Sequence, residues 1–180
     1  MRVLTNQSYQ ALWSEVVRSA EDRCAIALRD ELETYLVSLL IRYTDKPEVA
    51  KQLFAASFLK AMQASETEKF VSLQSVGDQC LLFAGLFPQA AEKRLVKISY
   101  FVDLGRSSYS CISQRTNDLF SSLAVQFVVL MDVLQSIRPT PSLLPLQAYD
   151  LWNEVGSQQA LNMLKKYSNM ALPIKNNDKR

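Results

Sequence analysis

Three of the four glycines in this chain lie inside segments whose residue pattern is otherwise helical. Gly77 and Gly85 belong to one largely apolar segment, and Gly105 belongs to the next. A glycine within a helix costs about 1 kcal/mol relative to alanine, so each of these positions needs a compensating interaction. Close approach of a neighbouring helix is the usual one. The glycines therefore predict helices that pack at unusually short distance.

The segment after Ser65 carries a stripe of small residues. At ~100° per residue, Gly77, Cys80 and Ala84 fall within roughly 60° of one another on a helix. Gly85 follows Ala84 directly. Because small residues let a second helix approach closely, we predict that these four positions form a close-packing contact.

The length and composition indicate an all-α fold. A chain of 180 residues with 48% hydrophobic residues can build a full core, and four glycines are too few for a turn-rich sandwich or barrel. We predict a compact single-domain bundle of seven to eight helices over residues 1–172. A polar, disordered tail is expected over residues 173–180.

Capping residues, prolines and apolar spacing predict the helix boundaries. A break is expected at residues 20–23 and a linker at residues 138–142, and Gly105 either ends or bends the helix that Pro88 starts. The predicted helices span residues 8–19, 30–43, 47–62, 66–87, 88–104, 117–137, 144–155 and 157–167.

The segment at about 117–137 is apolar over most of its circumference. We therefore predict a nearly all-apolar helix that is buried at the centre of the bundle. Even its polar stripe is interrupted, by Val125 and Val129. Two interpretations of this interruption stay open: the valines belong to the central core, or they meet a second copy of the chain in a homodimer.

The absence of histidine excludes several kinds of active site. A Ser-His-Asp triad, a Cys-His pair and histidine-based zinc or haem sites cannot form within this chain. No nucleotide-phosphate motif is present, and the three cysteines are far apart, which predicts buried, reduced thiols. We expect no catalytic residue, no metal and no cofactor.

The charge balance argues against nucleic acid as a partner. A formal net charge of +2 gives little long-range attraction for phosphates. Polar side chains interrupt the longest apolar run, residues 119–134, so no membrane span is expected. The N-terminal residues lack the apolar core of a signal peptide, and we expect a cytoplasmic protein.

Asp78 is flanked by apolar helical turns, which predicts partial burial. A buried carboxylate must be paired or hydrogen-bonded. One interpretation is a salt bridge that ties two helices together, with Arg94, Lys97 or Arg106 as the cation. The other is a polar site shared with the following helix. This candidate polar site comprises Asp78, Tyr100, Asp103, Arg106 and Tyr109.

The two glycine segments also carry a family resemblance. The residues concerned are Val76-Gly77-Asp78, Ala84-Gly85-Leu86-Phe87, Tyr100-Phe101, Leu104-Gly105 and Tyr109. Over residues 70–112 the chain resembles a family of uncharacterised, all-helical proteobacterial proteins of similar length. Arg106 departs from the glycine or other small residue that is frequent in that family. The resemblance implies a bacterial, intracellular source, and no activity, cofactor or catalytic residue comes with it.

Two functions stay open on this sequence. The first is a non-catalytic protein-interaction or scaffold module that binds a protein partner or a second copy of itself. The alternative is a small-molecule-binding protein or enzyme with a pocket between helices near Gly85, Tyr100, Asp103 and Tyr109. An exposed apolar patch favours the first function, and a concave pocket at those four residues favours the second.

Overall fold

A computed structural model of the chain describes residues 6–44, 54–93, 95–113, 118–138 and 143–171. These residues form ten α-helices and contain no β-strand, so the predicted all-α class is confirmed. The helices are α1 (Asn6–Cys24), α2 (Asp30–Thr44), α3 (Phe54–Gln63), α4 (Glu66–Leu86), α5 (Pro88–Lys93), α6 (Ile98–Ser113), α7 (Asp118–Val125), α8 (Phe127–Gln135), α9 (Pro145–Val155) and α10 (Gln158–Ala171).

The core of the bundle is built around α8. Eight of its nine residues are buried, and it packs against α1, α4, α6, α7 and α10. A helix that is apolar on nearly all sides is stable only where other helices cover it, which explains its central position. Beside it, α4 and α6 make the most extensive helix–helix contact in the described residues.

The predicted count of seven to eight helices is wrong, because two predicted helices are each divided. The segment at 117–137 forms α7 and α8, which meet at Gln126, where φ is −92° and ψ is 12°. The segment at 88–104 forms α5 and the start of α6, joined by a connection in which Leu95 has a φ of 55°. Neither break falls at a glycine or a proline, so the usual helix-stop signals do not predict it.

Two predicted helix ends are not found at the residues concerned. α1 continues through residues 20–23, because Glu21 is buried and its carboxylate accepts a 2.6 Å hydrogen bond from the backbone N–H of Leu28. The chain leaves α1 later, at Ala25, where φ is 54°. α6 does not end at Gly105, since that glycine is buried against neighbouring side chains within the helix.

Other predicted boundaries agree with the structure. α2 begins at Asp30 and α4 begins directly after Ser65. Gly156 ends α9 in the left-handed conformation, with a φ of 74°. The expectations that lie outside the described residues are the helix start near residue 47, most of the linker at 138–142 and the tail at 173–180.

Candidate functional site

Asp78 lies at the centre of a buried polar cluster that joins three helices. Its Oδ1 atom accepts hydrogen bonds from the hydroxyl groups of Tyr35, at 2.6 Å, and Tyr109, at 2.7 Å. Its Oδ2 atom lies 3.2 Å from Nη1 of Arg42. Asp78 belongs to α4, Tyr109 to α6, and the other two residues to α2. The carboxylate therefore links α2, α4 and α6.

Further contacts hold the α2 side of this cluster in place. The Arg42 guanidinium lies 5.8 Å from the centre of the Tyr35 ring, in a cation–π arrangement. Nε2 of Gln74 donates a hydrogen bond of 3.2 Å to the Tyr35 hydroxyl. Tyr35 and Arg42 are two helical turns apart, so they share one face of α2. Helical spacing thus brings both side chains to the same carboxylate.

Burial dominates the electrostatics of the cluster. It raises the pKa of Asp78, while the two phenol hydrogen bonds and Arg42 act in the opposite direction. Burial also raises the pKa of Tyr35 and Tyr109, and the nearby carboxylate adds to both shifts. The phenols are therefore protonated donors at neutral pH. A carboxylate that is occupied by two donors and a cation is suited to joining helices rather than to abstracting a proton.

The glycines of α4 make room for large side chains from two other helices. A Cβ at Gly77 would lie 2.6 Å from Cε1 of Tyr109, which belongs to α6. A Cβ at Gly85 would lie 2.5 Å from Cβ of Leu134, which belongs to α8. Both distances are too short for real carbon atoms. The two glycines therefore set how closely α4 approaches its neighbours.

The rest of the small-residue stripe lies in the same packed region. Cys80 and Ala84 are fully buried. A Cβ at Gly105 would overlap the ring of Phe127 and would lie 3.0 Å from Cβ of Cys80. Small residues of α4 and α6 thus face each other beside α8.

The structure brings together two of the five residues of the candidate polar site. Asp78 and Tyr109 are in contact, whereas Tyr100 and Asp103 are exposed. Tyr109 follows Tyr100 by nine positions, which places them about 180° apart around α6. Arg106 is half-buried and does not contact Asp78 in the hydrogen bonds and ion pairs of the described residues. The five side chains therefore do not form one site. The four residues of the predicted pocket do not come together either, because Gly85 and Tyr109 are buried whereas Tyr100 and Asp103 are exposed.

Arg42 takes the place of the predicted cation partners of Asp78. It lies two helices earlier in the chain, whereas the sequence pattern pointed downstream. The shared face of Tyr35 and Arg42 on an otherwise apolar stretch of α2 is the one sequence signal that could have identified them. Of the predicted cations, Lys97 pairs with Glu154, Arg106 donates to the backbone oxygen of Ala124 at 3.3 Å, and Arg94 lies outside the described residues.

A second feature lies on the surface, where α9 exposes large apolar side chains. Ala148 and Leu151 are buried, so one face of α9 packs against the bundle. On another face Leu146, Tyr149 and Trp152 are exposed by 72%, 49% and 37%. The rings of Tyr149 and Trp152 make an edge contact, with their centres 6.0 Å apart. We call these three exposed residues the α9 row.

A cavity of about 260 Å³ lies beside the α9 row, between α9 and the connection that joins α5 to α6. Leu95 stands at its edge with 96% of its surface exposed. An ion pair between Lys97 and Glu154 crosses from the connection to α9. The apolar residues that line the cavity are Pro88, Leu95, Val96, Ile98, Leu146 and Leu151.

Val125 and Val129 occupy different environments. Val125 ends α7 and is 67% exposed, while Val129 lies on α8 and is half-buried. The turn at Gln126 separates the two helices. Val125 therefore presents an apolar surface of its own, and Val129 contributes to it only in part.

The chain matches no protein-family model, no curated protein and no solved structure. The resemblance to proteobacterial helical proteins therefore stays a prediction. Within the described ranges, no three histidine, cysteine, aspartate or glutamate side chains gather where they could hold a metal ion. None of the helices described is both long and apolar enough to cross a membrane.

Proposed function

We propose that the protein is a non-catalytic protein-interaction module. Its docking surface consists of the α9 row and Leu95. The observation that carries this proposal is that α9 is apolar on two faces, of which the bundle covers one. The side chains of the exposed face lie outside the buried core cluster of the described residues. Exposed groups of large apolar side chains with aromatic members are typical of protein-binding surfaces.

The backbone at Leu95 supports the same surface. Its φ of 55° costs a non-glycine residue about 1–2 kcal/mol, and its side chain recovers none of that in the core because it is almost fully exposed. A contact between Leu95 and a partner protein would explain why the chain keeps a strained backbone at a residue whose side chain is exposed.

The Asp78 cluster supports the non-catalytic part of the proposal. Its acceptor and donors satisfy one another, and it fastens α2, α4 and α6 together. α9 in turn packs against α6 and α10. The docking surface is therefore held on a fixed frame. We also propose a bacterial, cytoplasmic setting, which suits three free cysteines because thiols stay reduced there.

Photo-cross-linking in cells that express the chain tests this function. A photoreactive phenylalanine analogue replaces Tyr149, and in a matched control it replaces Leu59, which is similarly accessible but lies on α3, away from α9. We expect discrete cross-linked protein products from position 149 and none from position 59. A well-expressed chain that gives no product from position 149 would contradict the proposal.

A small apolar ligand in the cavity beside α9 is the second candidate. The cavity is apolar and is bordered by the Lys97–Glu154 pair. Its volume of about 260 Å³ is below the roughly 300–1,000 Å³ of most ligand pockets, so we place this function behind protein binding. Thermal-shift screening with small apolar molecules tests it, and Leu151→Trp, which fills the cavity, should abolish any shift.

A further inference from the structure

We infer that the partner of the docking surface is a second copy of this chain, related by a twofold axis that passes through Tyr149. This inference rests on the proposed function, because it names the occupant of the same surface. It differs from a homodimer through Val125 and Val129, which would use α7 and α8 instead.

The spacing of the α9 row is symmetric about its centre. Leu146 and Trp152 each lie three residues from Tyr149. A twofold axis through Tyr149, perpendicular to the row, places Leu146 opposite Trp152 of the partner subunit and repeats the same contact on the other side. Each large apolar side chain then meets another large apolar side chain. The row can therefore pair with a second copy of itself.

The geometry of the row also fixes how the two helices cross. Side chains spaced by three residues form a row that is inclined by about 45° to the helix axis. When two such rows face each other and run in opposite directions, the two copies of α9 cross at a steep angle. A steep crossing leaves the helix ends apart, so further contacts must come from beside α9. Leu95 lines the same cavity as Leu146 and extends the surface at that end.

The charges permit this contact. The α9 row contains no ionisable acid or base other than the tyrosine hydroxyl, and the charged residues beside it are Lys97, Asp150 and Glu154, which line the cavity between Leu95 and Leu146. Glu154 already pairs with Lys97 beside the cavity. The formal net charge of the whole chain is +2, so two copies repel each other only weakly.

The size of the surface predicts a reversible dimer. Leu95 and the α9 row together expose on the order of 500 Å² of apolar surface, compared with about 800 Å² per partner in a standard interface. Polar atoms around the row supply part of the difference. We therefore expect a weak dimer that dissociates at low concentration.

Single-cysteine variants test the predicted symmetry. All are made in a Cys111→Ser background, because Cys24 and Cys80 are buried and Cys111 is not. Tyr149→Cys should form a disulfide-linked dimer on mild oxidation, since the axis brings the two copies of this position together. A mixture of Leu146→Cys and Trp152→Cys chains should form mixed disulfides at least five times as fast as either chain links to itself. Val125→Cys is the matched, exposed control, and it should form no disulfide-linked dimer.

Sedimentation or light scattering measures the same contact without cross-links. The unmodified chain should be monomeric well below about 10 µM and largely dimeric at about 100 µM. Leu146→Glu should remain monomeric at both concentrations while its far-ultraviolet circular dichroism stays unchanged.

Three results would overturn the inference. One is an unmodified chain that is monomeric at about 100 µM. Another is efficient linking of Val125→Cys without linking of Tyr149→Cys, which would place the dimer at α7. A third is a monomeric chain whose position 149 cross-links in cells to a different protein. That third result would leave the proposed function standing, whereas no product from position 149 in cells and no dimer in solution would remove both.

Discussion

The ring of Tyr109 lies against the backbone of Gly77 so closely that a Cβ at position 77 would be 2.6 Å from its Cε1 atom. The hydroxyl of the same tyrosine reaches Asp78, the next residue of α4, at 2.7 Å. The glycine thus creates the space in which the tyrosine can bind the carboxylate. Close packing and the buried hydrogen bond are two parts of one arrangement.

We expect Gly77→Ala to destabilise the protein. Alanine gains about 1 kcal/mol of helix propensity, but the added methyl group must displace a ring that Asp78 holds by its hydroxyl. Overpacking of this kind costs about 1–3 kcal/mol and also lengthens the hydrogen bond, so we expect a net loss of about 1–2 kcal/mol in the free energy of unfolding. Denaturant titration measures it.

Ser75→Ala is the control for this experiment, because Ser75 is exposed on the same helix. It should change the free energy of unfolding by less than about 0.5 kcal/mol. A Gly77→Ala variant that is as stable as the control, or more stable, would show that α4 and α6 are not in the close contact described.

Tyr109→Phe should also be destabilising, by about 2 kcal/mol. It removes one of two phenol donors from a buried carboxylate without creating a cavity, and hydrogen bonds to charged groups contribute about 1.5–3 kcal/mol. Tyr100→Phe is the matched control, since that tyrosine is exposed on the opposite side of α6 and should tolerate the change. Equal effects of the two substitutions on the midpoint of urea unfolding would contradict a structural role for the Asp78 cluster.

Helix boundaries that depend on local residues could be predicted from the sequence, whereas those that depend on tertiary contacts could not. The start of α2 and the end of α9 fall at Asp30 and Gly156, whose effects are confined to one helical turn. α4 begins directly after Ser65 as predicted, although the Ser65 side chain makes no capping hydrogen bond and donates to Glu68 instead. The continuation of α1 depends on burial of Glu21, whose carboxylate binds the loop that follows the helix. Without knowledge of that tertiary contact, a charged residue such as Glu21 indicates the end of a helix.

The same distinction applies to the candidate site. Burial of Asp78 could be predicted from its apolar neighbours on α4. The shared face of Tyr35 and Arg42 marks both as polar residues on an apolar stretch of α2, but their pairing with Asp78 could not be predicted, because no periodicity connects α2 with α4. The α9 row was missed for a different reason: Leu146, Tyr149 and Trp152 are compatible with a buried helix, and only the packing shows which face the bundle leaves uncovered.

Alkylation of the native protein should modify Cys111 well before Cys24 or Cys80. Burial raises the pKa of Cys24, and it raises that of Cys80 to about 12, so thiolate is scarce and reagent access is blocked at both. Cys111 is half-buried and lines a cavity of about 270 Å³ between α4 and α6. Peptide mass spectrometry after brief iodoacetamide treatment measures the order. Labelling of Cys80 as fast as Cys111 would mean that the contact around Gly105 is open.

Asp132 joins the central helix to the start of α10. Its Oδ1 atom accepts a 2.5 Å hydrogen bond from the Ser157 hydroxyl. Its Oδ2 atom accepts hydrogen bonds from the backbone N–H groups of Gln158 and Gln159, at 3.1 Å and 3.3 Å. These donors favour the ionised carboxylate, but burial outweighs them and raises the pKa of Asp132 to about 6.

Stability should therefore rise as the pH is lowered from 7 to about 4.5. The pKa of Asp132 in the folded protein lies above its ordinary value of 3.8, so the folded chain takes up a proton that the unfolded chain does not. The resulting stabilisation is fully present only below the unfolded pKa of 3.8 and is lost as the pH rises through about 6. It amounts to about 3 kcal/mol over the whole range and to about 2 kcal/mol between pH 7 and 4.5. Burial raises the pKa of Glu21 and Asp78 as well, which adds to the same trend.

The variant Asp132→Asn isolates the contribution of Asp132, because it keeps an acceptor for α10 but cannot titrate. Denaturant unfolding at both pH values should show a clearly smaller change in the variant, and an identical change in both proteins would place the titration elsewhere.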